Sequence, residues 1–537
     1  MNRLTTGEAS DAESLIHRQT LLRQGYEGQG VTNQGGTAIL IAPASSRFFE
    51  LGGAIFLLNY KSCAKSDFAQ IKINMINRIK ISELGQHIGE EVSIAGWVDV
   101  RRDHGKLIFI DLRDVSGKVQ IVVLPKTSQI PANDHEIEPG DLAKKIDNAH
   151  EMAQKVRPEW VIRVSGKIQE RPNKEAKGEL NENLEMVAEE IEILGKAKEL
   201  PFDLGADLNL DTYLDHLPLT LRNERSRAIF RVQAEIIRAF REFLNQESFV
   251  EIQAPKLIGD DAEGGANSFD IEYFGHTAHL AQSPQFYKQI MVGVFERVFA
   301  TGNVYRAEKH STTRHINEYT SIDIEMGFIT DHTDIMKMEN KLMKYIMGEL
   351  QKTCQKEFAL LGSSIPEVPD QIPFMKIREA QQIIKEETGE DCTNEPDLEP
   401  QHERWLCEYA KKKYNSDFIF ITHYPMSKRP MYTYEDEQDL GYSKSFDLLF
   451  RGVEITTGGQ RVHDYDKLVS AIEKRGLNPE KFSYYLQAFK YGMPPHGGFG
   501  MGLERLTSKL LGLDNIKEAT LFPRDLNRID NLLSTDK

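Results

Sequence analysis

The stretch from residue 299 to residue 327 carries charged side chains at a spacing that could bind a polyanionic substrate. It reads FATGNVYRAEKHSTTRHINEYTSIDIEMG, which predicts two strands joined by a basic loop. In the second strand, Ser321, Asp323 and Glu325 alternate with apolar residues, so they lie on one face of a sheet. One face of this strand is therefore apolar and the other is polar and acidic.

The first strand and the loop supply the cations. Arg306 and Glu308 are two residues apart and are expected to share one face of the first strand. An ordinary antiparallel hairpin with a solvated, salt-bridged face would explain this stretch equally well on its own. The loop adds four basic side chains suited to gripping polyphosphate: Lys309, His310, Arg314 and His315.

A glycine-rich element, residues 497–505, reads GGFGMGLER. Gly498, Gly500 and Gly502 alternate, so a strand here leaves one face bare, where a flat group or another backbone could approach closely. A dinucleotide fold would need G-x-G-x-x-G in a βαβ unit and an acidic residue for the ribose, and we exclude it because both are missing. The next residues predict a helix with Arg505 in its first turn and leucines at helical spacing: Leu503, Leu506, Leu510 and Leu513.

A further charged segment, residues 446–464, reads FDLLFRGVEITTGGQRVHD. Glu454 is expected to end a strand, with Thr457 and Arg461 following across a turn at Gly458–Gly459. An isolated carboxylate here could be structural. Opposite a polyphosphate it would instead be a hard oxygen ligand for Mg²⁺.

Several of these motifs together resemble those of class II aminoacyl-tRNA synthetases. YRAE, the RHINEY loop, DIEM and GFGMGLER are similar to motifs 2 and 3 of that class. QSPQFYKQ (residues 282–289), GVEITTGGQRVHD and GMPPHGGFGMGLERL narrow the resemblance to the aspartyl-tRNA synthetases. The resemblance extends from about Ile81 to the end of the chain. Because this chain has no room for a large extra domain between 328 and 440, it resembles the compact archaeal and eukaryotic enzymes.

The resemblance implies an α+β fold with an N-terminal OB-fold barrel and a catalytic antiparallel sheet flanked by helices. We expect an anticodon-binding barrel over 75–195, a hinge over 196–215 and the catalytic domain over 216–537. The implied reaction joins L-aspartate to ATP as aspartyl-adenylate and then passes the aspartyl group to tRNA(Asp). No side-chain nucleophile is needed, because such catalysis rests on alignment and charge neutralisation.

The resemblance also assigns roles to residues of this chain. Arg306 would hold the α-phosphate and the substrate carboxylate, and Arg505 would sandwich the adenine with Tyr319; these two arginines are the catalytic candidates. Glu454 and Thr457 would bind Mg²⁺. The implied ATP site is Arg306, Glu308, Arg314, His315, Ile316, Tyr319, Glu454, Gly502 and Arg505. The implied aspartate site is Glu263, Gln285, Lys288, Arg306, Asp323, Thr457 and Arg461.

In this interpretation, Lys288 determines that the enzyme selects aspartate over asparagine. A lone lysine on a helix is usually solvated. In the aspartyl members of the family, however, the lysine at this position binds the side-chain carboxylate of the substrate, helped by the residue at Arg461. A carboxylate in a closed pocket needs charged donors, whereas asparagine would leave those cations without a counter-charge. Asparaginyl enzymes, the nearest relatives, lack this lysine.

Five short strands separated by turns, between Ile81 and Leu194, predict a small barrel. Phe109 lies on the polar face of one of them, where it could cover a barrel edge or stack on an unpaired base. The resemblance favours the base: Phe109 would stack on the anticodon and Gln120 would read it. Arg101 and Arg102 complete the predicted tRNA site.

Two further elements acquire a role from the resemblance. Residues 227–246 form an amphipathic helix that, with the strand FVEI and Pro255, looks like motif 1, which builds a homodimer interface. Glu263, Gly264 and Gly265 lie in a loop similar to the mobile lid over the amino-acid pocket.

Composition limits the alternatives. A chain of 537 residues is too long for a single hydrophobic core, so two or three domains are expected. The net charge of −16 argues against a protein that coats nucleic acid non-specifically. Four cysteines without C-x-x-C spacing indicate neither zinc nor a disulfide framework, which fits the cytoplasm. Two apolar runs near the start, Ala38–Ala42 and Ala54–Leu58, are far too short to span a membrane.

Residues 1–74 lie outside the resemblance. They are rich in Gln, Gly and Ser and contain acidic residues, which argues against a mitochondrial presequence. Met75 shortly precedes the first family-like sequence, so we expect residues 1–74 to be dispensable or to reflect a mis-assigned start.

Three other functions compete with the aspartyl enzyme. An asparaginyl-tRNA synthetase shares most motifs but would lack Lys288. A non-catalytic tRNA-binding paralogue would be expected to have lost Arg306, Glu308 or Arg505, and an ammonia-dependent asparagine synthetase would not need the barrel.

The tRNA specificity is a separate question. Some aspartyl enzymes also charge tRNA(Asn) and leave a tRNA-dependent amidotransferase to finish the product. Archaeal enzymes that are strict for tRNA(Asp) often have Trp two places after the residue matching Trp97, where this chain has Asp99. This difference favours relaxed specificity.

Overall fold

The structure is a computed structural model that describes residues 50–51, 54–55, 78–105, 107–126, 141–171, 183–259 and 268–533. The chain divides into two compact units, residues 1–200 and 201–537. Near the start, strands β1 (Glu50–Leu51) and β2 (Ala54–Ile55) pair antiparallel. The rest of the predicted dispensable segment, 1–74, lies outside the described residues.

A closed five-stranded barrel forms the body of the first unit, with its strands in the order β3-β4-β5-β7-β6. Its core consists of the inward residues of each strand, such as Ile108, Ile110 and Leu112. A 3-10 helix precedes the barrel at Ile81–Gln86, and helix α1 lies between β5 and β6. The elements are β3 (Glu91–Asp103), β4 (Ile108–Arg113), β5 (Lys118–Val123), α1 (Asp141–Lys155), β6 (Val161–Glu170) and β7 (Leu184–Gly195). The predicted barrel is confirmed.

An eight-stranded mixed sheet organises the second unit, in the order β14-β15-β16-β17-β18-β13-β12-β8. The two outermost pairings, β14 with β15 and β8 with β12, are parallel, and the interior is antiparallel. A separate small sheet has the order β10-β11-β9. The strands are β8 (Val250–Glu251), β9 (Leu257–Ile258), β10 (Asp270–Tyr273), β11 (His276–Leu280), β12 (Arg297–Tyr305), β13 (Glu318–Gly327), β14 (Phe374–Lys376), β15 (Phe418–Thr422), β16 (Ser445–Phe450), β17 (Val453–Arg461) and β18 (His496–Gly502).

Helices cover the large sheet, and the amphipathic helix predicted over 227–246 is the longest of them. It begins at the cap Asn223, whose side chain accepts a hydrogen bond from the Arg225 amide, and its apolar stripe packs on the sheet, with Phe240 edge-on to Phe299. The helices are α2 (Leu210–Asp215), α3 (Leu217–Thr220), α4 (Glu224–Gln246), α5 (Gln285–Phe295), α6 (His332–Thr353), α7 (Gln355–Leu360), α8 (Ile377–Thr388), α9 (Pro400–Tyr414), α10 (Tyr465–Lys474), α11 (Ser483–Lys490) and α12 (Leu503–Leu511). Throughout the described ranges, every helix is too short or too polar to cross a membrane.

Two local predictions are wrong. Strand β12 ends at Tyr305, so Arg306 and Glu308 lie in the loop rather than on the strand. Strand β17 runs unbroken through Gly458 and Gly459, so no turn separates Glu454 from Arg461. At Gly458 a side chain would lie 2.5 Å from the Phe446 ring, which shows that this glycine serves close packing and not chain reversal.

Candidate active site

A cavity of about 440 Å³ opens over the central strands of the large sheet. Its floor comes from β13, β17 and β18, and its rim comes from the loop between β12 and β13 and from the start of α12. The cavity brings together thirteen of the predicted site residues: Gln285, Arg306, Glu308, Arg314, His315, Ile316, Tyr319, Asp323, Glu454, Thr457, Arg461, Gly502 and Arg505. Glu263 lies outside the described residues, and Lys288 is fully buried behind the wall.

The alternating glycines of β18 make room for the acidic side chains of β13. In the register of these two strands, Asp323 is opposite Gly500 and Glu325 is opposite Gly498. A Cβ at position 500 would lie 2.7 Å from Asp323 Oδ1, and one at position 498 would lie 2.5 Å from Glu325 Oε2. The bare face was predicted to admit a flat group or a backbone; it admits carboxylates from the neighbouring strand.

Two cations and two carboxylates form a buried cluster at the end of the cavity that Gln285 lines. Lys288 Nζ lies 3.0 Å from Asp323 Oδ1 and 3.6 Å from Glu325 Oε2. Arg461 Nε donates to Glu325 Oε1 at 3.0 Å, and its Nη2 donates to the Gln285 amide oxygen at 3.4 Å. We refer to Lys288, Asp323, Glu325 and Arg461 as the four-charge cluster.

The neighbouring cations favour the ionised form of Glu325 despite its burial. Burial alone would raise the pKa of Glu325, but the charges of Arg461 and Lys288 outweigh it and leave this pKa below its ordinary value. Asp323 uses Oδ1 for Lys288, while its buried Oδ2 has no hydrogen-bond partner in the described parts of the chain. Because Asp323 also lines the cavity, this oxygen is available to a cationic group of a ligand.

Aromatic and guanidinium groups line the opposite part of the cavity. The Arg306 guanidinium lies over the Tyr319 ring, with its Cζ 5.5 Å from the ring centre. Arg505 Nη1 donates to the Glu454 backbone carbonyl at 3.0 Å and lies 3.7 Å from its carboxylate. The side chains predicted to sandwich a purine, Tyr319 and Arg505, therefore both border this part of the cavity.

The carboxylate and the hydroxyl predicted to bind a metal, those of Glu454 and Thr457, both lie on β17, and β16 places a second carboxylate opposite Thr457. Thr457 donates to Glu454 Oε1 at 2.8 Å, and Asp447 is opposite Thr457 in the strand register. Burial raises the pKa of Asp447 to about 6, with the Glu454 charge adding to it although Arg429 opposes the shift. Asp447 was not predicted from the sequence, although FDLLFRGVE places it seven residues before Glu454.

These oxygens fit Mg²⁺, which usually binds one or two carboxylates together with substrate phosphates. The described parts of the chain bring no three His, Cys, Asp or Glu side chains together as a metal cluster. A metal here would thus depend on ligand oxygens as well as on the protein.

The basic loop between β12 and β13 bends over the cavity. Arg314 Nη2 makes an ion pair with Glu403 of helix α9, a residue that was not predicted from the sequence. His315 Nδ1 lies 2.7 Å from the Thr312 hydroxyl, and burial together with the Arg505 charge lowers the pKa of His315, so its imidazole is neutral near pH 7.

Comparison with known proteins decides the family. A model of the class II tRNA synthetases (D, K and N) matches residues 209–526, and a model of the OB-fold nucleic acid binding domain matches residues 92–194. The chain belongs to the class II tRNA synthetases. The resemblance drawn from the motifs is confirmed, as is the expected fold class.

Relatives of this synthetase carry three kinds of name. It is 44% identical to an aspartate–tRNA(Asp/Asn) ligase of Thermus thermophilus, over 84% of this chain and 99% of that protein. It is 39% identical to an aspartate–tRNA(Asp) ligase of Pyrococcus abyssi, over 83% and 98%. A solved asparaginyl-tRNA synthetase of Pyrococcus horikoshii with asparaginyl-adenylate superposes with a TM-score of 0.74 at 30% identity, covering 85% of this chain and all of the other.

The synthetase's barrel brings together three of its four predicted tRNA contacts. Phe109 is half-buried and lies opposite Arg102, and Gln120 lies opposite Asp111 on the same face. Arg102 makes two 2.8 Å hydrogen bonds to Asp111. Arg101 is not part of this group.

Arg101 lies on the other face of β3, opposite Ile110. Its guanidinium donates to the Gln154 carbonyl at 3.1 Å, at the end of α1, and to Asp103 at 2.9 Å. It therefore caps the helix, as cations near helix C-termini do. Helix α1 was not predicted from the sequence, so the capping role of Arg101 could not be predicted either.

Proposed function

We propose that this synthetase joins L-aspartate to tRNA(Asp), with ATP as co-substrate. The observation that carries the proposal is the four-charge cluster beside Gln285, in which Arg461 lines the amino-acid end of the cavity and Lys288 is buried behind its wall. A carboxylate side chain entering there gains charged donors in a site shielded from water. The uncharged side chain of asparagine gains less from the same cations.

The chemistry takes two displacements. An α-carboxylate oxygen of aspartate attacks the α-phosphorus of ATP, the bond to the β-phosphate oxygen breaks, and pyrophosphate leaves. A hydroxyl of the terminal tRNA ribose then attacks the carbonyl carbon of aspartyl-adenylate; the hydroxyl proton is lost and AMP leaves with the bonding electron pair. Neither step needs a protein nucleophile.

The lining residues supply alignment and charge. Asp323 Oδ2 accepts from the aspartate ammonium, and Arg306 neutralises the carboxylate and the α-phosphate where negative charge builds up. Tyr319 and Arg505 enclose the adenine, and Arg314 with His315 holds the outer phosphates. Glu308 orients the adenine or the tRNA acceptor end.

Mg²⁺ is the proposed metal, held by Glu454 and Thr457 with Asp447 close by. When bound, it neutralises phosphate charge and makes pyrophosphate a better leaving group. The Glu454 carboxylate and the Thr457 hydroxyl, both on β17, would hold the metal beside the phosphates.

We also propose that the chain acts in the cytoplasm as a homodimer through helix α4 and the strand after it. We include charging of tRNA(Asn) in the proposal, because the relative that is 44% identical is named for both tRNA(Asp) and tRNA(Asn). The Pyrococcus abyssi relative, which is named for tRNA(Asp) alone, is 39% identical. In this chain Asp99 is engaged by Arg113 at 3.3 Å and Lys118 at 3.1 Å. A tRNA-dependent amidotransferase would then consume aspartyl-tRNA(Asn).

The deciding experiment is aminoacylation with Mg²⁺ and ATP, using transcripts of tRNA(Asp) and tRNA(Asn) with labelled aspartate or asparagine. We expect aspartate to be attached to both tRNAs and asparagine to neither. Aspartate on tRNA(Asp) alone would contradict the relaxed specificity. Asparagine on tRNA(Asn) would replace the proposal with an asparaginyl enzyme, the activity of the solved Pyrococcus relative.

Replacing Phe109 by alanine should weaken tRNA use without changing adenylate formation. Stacking of a base on an aromatic ring is worth about 1–3 kcal/mol, which corresponds to roughly a fivefold to 150-fold rise in KM for tRNA. Steady-state charging measures this KM, and ATP–pyrophosphate exchange without tRNA is the control. Phe109→Trp should stay close to the original; equal KM values for the alanine and tryptophan variants would contradict the stacking role.

A further inference from the structure

Helix α9 carries a buried acid whose partner lies far away in the sequence. Glu403 is in the first turn of α9 and is 9% exposed. Its Oε2 makes the ion pair with Arg314 Nη2, across 89 residues of chain. Among the described residues, Glu403 is the hydrogen-bond partner of the Arg314 guanidinium.

Arg314 belongs to a loop without helix or strand between β12 and β13, so its side chain depends on such anchors. The loop backbone is fixed at two points: the Ile516 amide donates to the Thr313 carbonyl at 3.0 Å, and the Asn317 amide donates to the Arg524 carbonyl at 2.7 Å. These bonds fix the path of the chain but do not orient the Arg314 side chain, which has four rotatable bonds. The ion pair with Glu403 orients this side chain.

The ion pair leaves the rest of the guanidinium free to act. Arg314 lines the cavity, and a guanidinium has five N–H donors in a planar fork. One fork edge at Nη2 is engaged by Glu403, so the remaining donors keep a fixed direction toward the ligand. Preorganised donors of this kind stabilise developing phosphate charge without having to reorganise.

The surroundings of Glu403 disfavour an unpaired carboxylate. Burial raises the pKa of Glu403, and the nearby charge of Glu454 raises it further, while Arg314 opposes both effects. Breaking a buried pair leaves an uncompensated charge, so the two residues hold each other in place. The pair thus couples α9 to the loop at the cavity rim.

We propose that Glu403 is a positioning residue that orients Arg314 toward the outer phosphates of ATP. The proposal rests on the proposed function only through the identity of the nucleotide as ATP. Glu403 itself touches no reacting atom. An ion pair that merely stabilised the fold would affect melting and leave nucleotide affinity alone.

The test compares full-length Glu403→Gln and Glu403→Asp with the unmodified protein. Calorimetry with a non-hydrolysable ATP analogue and Mg²⁺ measures nucleotide affinity without any amino acid, so it decides the role of Glu403 even if aspartate proves to be the wrong substrate. We expect the glutamine variant to bind the analogue roughly ten- to a hundredfold more weakly, as for loss of a hydrogen bond to a charged group. The aspartate variant should recover most of the affinity.

Two further variants sharpen the result. Glu408→Gln removes an exposed carboxylate of the same helix and should leave analogue affinity within twofold. Adding Glu403→Gln to Arg314→Ala should cost little more than Arg314→Ala alone, because the two side chains act as one unit. Analogue affinity of Glu403→Gln within twofold of the unmodified protein, or fully additive losses in the double variant, would overturn the proposal.

Discussion

Arg306→Ala is expected to lower the rate of adenylate formation by about 10³-fold or more while leaving the fold intact. Loss of a single preorganised donor costs about 10²–10³ in rate, and an arginine that neutralises phosphoryl charge can be worth more. Arg306 lines the cavity and is held over Tyr319, so its removal leaves a gap in the site and no hole in the hydrophobic core. ATP–pyrophosphate exchange with aspartate measures the rate.

Lys309→Ala is the matched control. Lys309 belongs to the same basic loop but is exposed and does not line the cavity. We expect its exchange rate to remain within about threefold of the original, as for other exposed substitutions that remove no bound partner. Similar losses in both variants would show that the loop acts through its overall charge and would contradict the specific role of Arg306.

The alternation in β13 could be predicted because period-two patterns reflect strand geometry directly. Ser321, Asp323 and Glu325 do share a face, and that face meets the glycines of β18. The end of β12 could not be predicted in the same way. Arg306 reaches the cavity from a loop whose path is set by the distant Arg524 carbonyl, and such contacts leave no local pattern.

Residues that act through a partner were the ones overlooked. Glu325 was recognised as a strand residue, but its pairing with Arg461 joins positions 136 residues apart. Glu403 reads as one of many acids on a solvated helix until the loop is seen packed against it. Sequence patterns show which face a side chain occupies, whereas its partner across the fold depends on tertiary packing.

The four-charge cluster changes the argument for amino-acid selectivity. The sequence suggested that Lys288 and Arg461 wait for the substrate carboxylate as their counter-charge. In the structure, Asp323 and Glu325 already balance them, two positive charges against two negative ones. In the proposed function, aspartate would therefore enter a neutral cluster, where Asp323 Oδ2 would match its ammonium while its side-chain carboxylate would compete for the cations.

Replacing Lys288 by methionine should then have two separable effects. The cluster becomes net negative, so the aspartate side chain is repelled, and kcat/KM for aspartate should fall by roughly 10⁴-fold, the scale of rejection when buried polar groups lose their partners. Leaving a buried charge uncompensated should also cost about 3–5 kcal/mol of unfolding free energy. Exchange kinetics and denaturant unfolding measure the two quantities.

A second substitution separates selectivity from stability. Lys288→Met combined with Glu325→Gln restores electrical neutrality, because one negative charge, on Asp323, and one positive charge, on Arg461, remain in the cluster. We expect most of the lost unfolding free energy to return, while kcat/KM for aspartate stays low because one of the two cations is still missing. If aspartate kinetics recovered together with stability, the lysine would be a structural counter-ion and Arg461 alone would select the substrate. If neither recovered, the steric fit of the lysine stem, and not its charge, would be what the pocket requires.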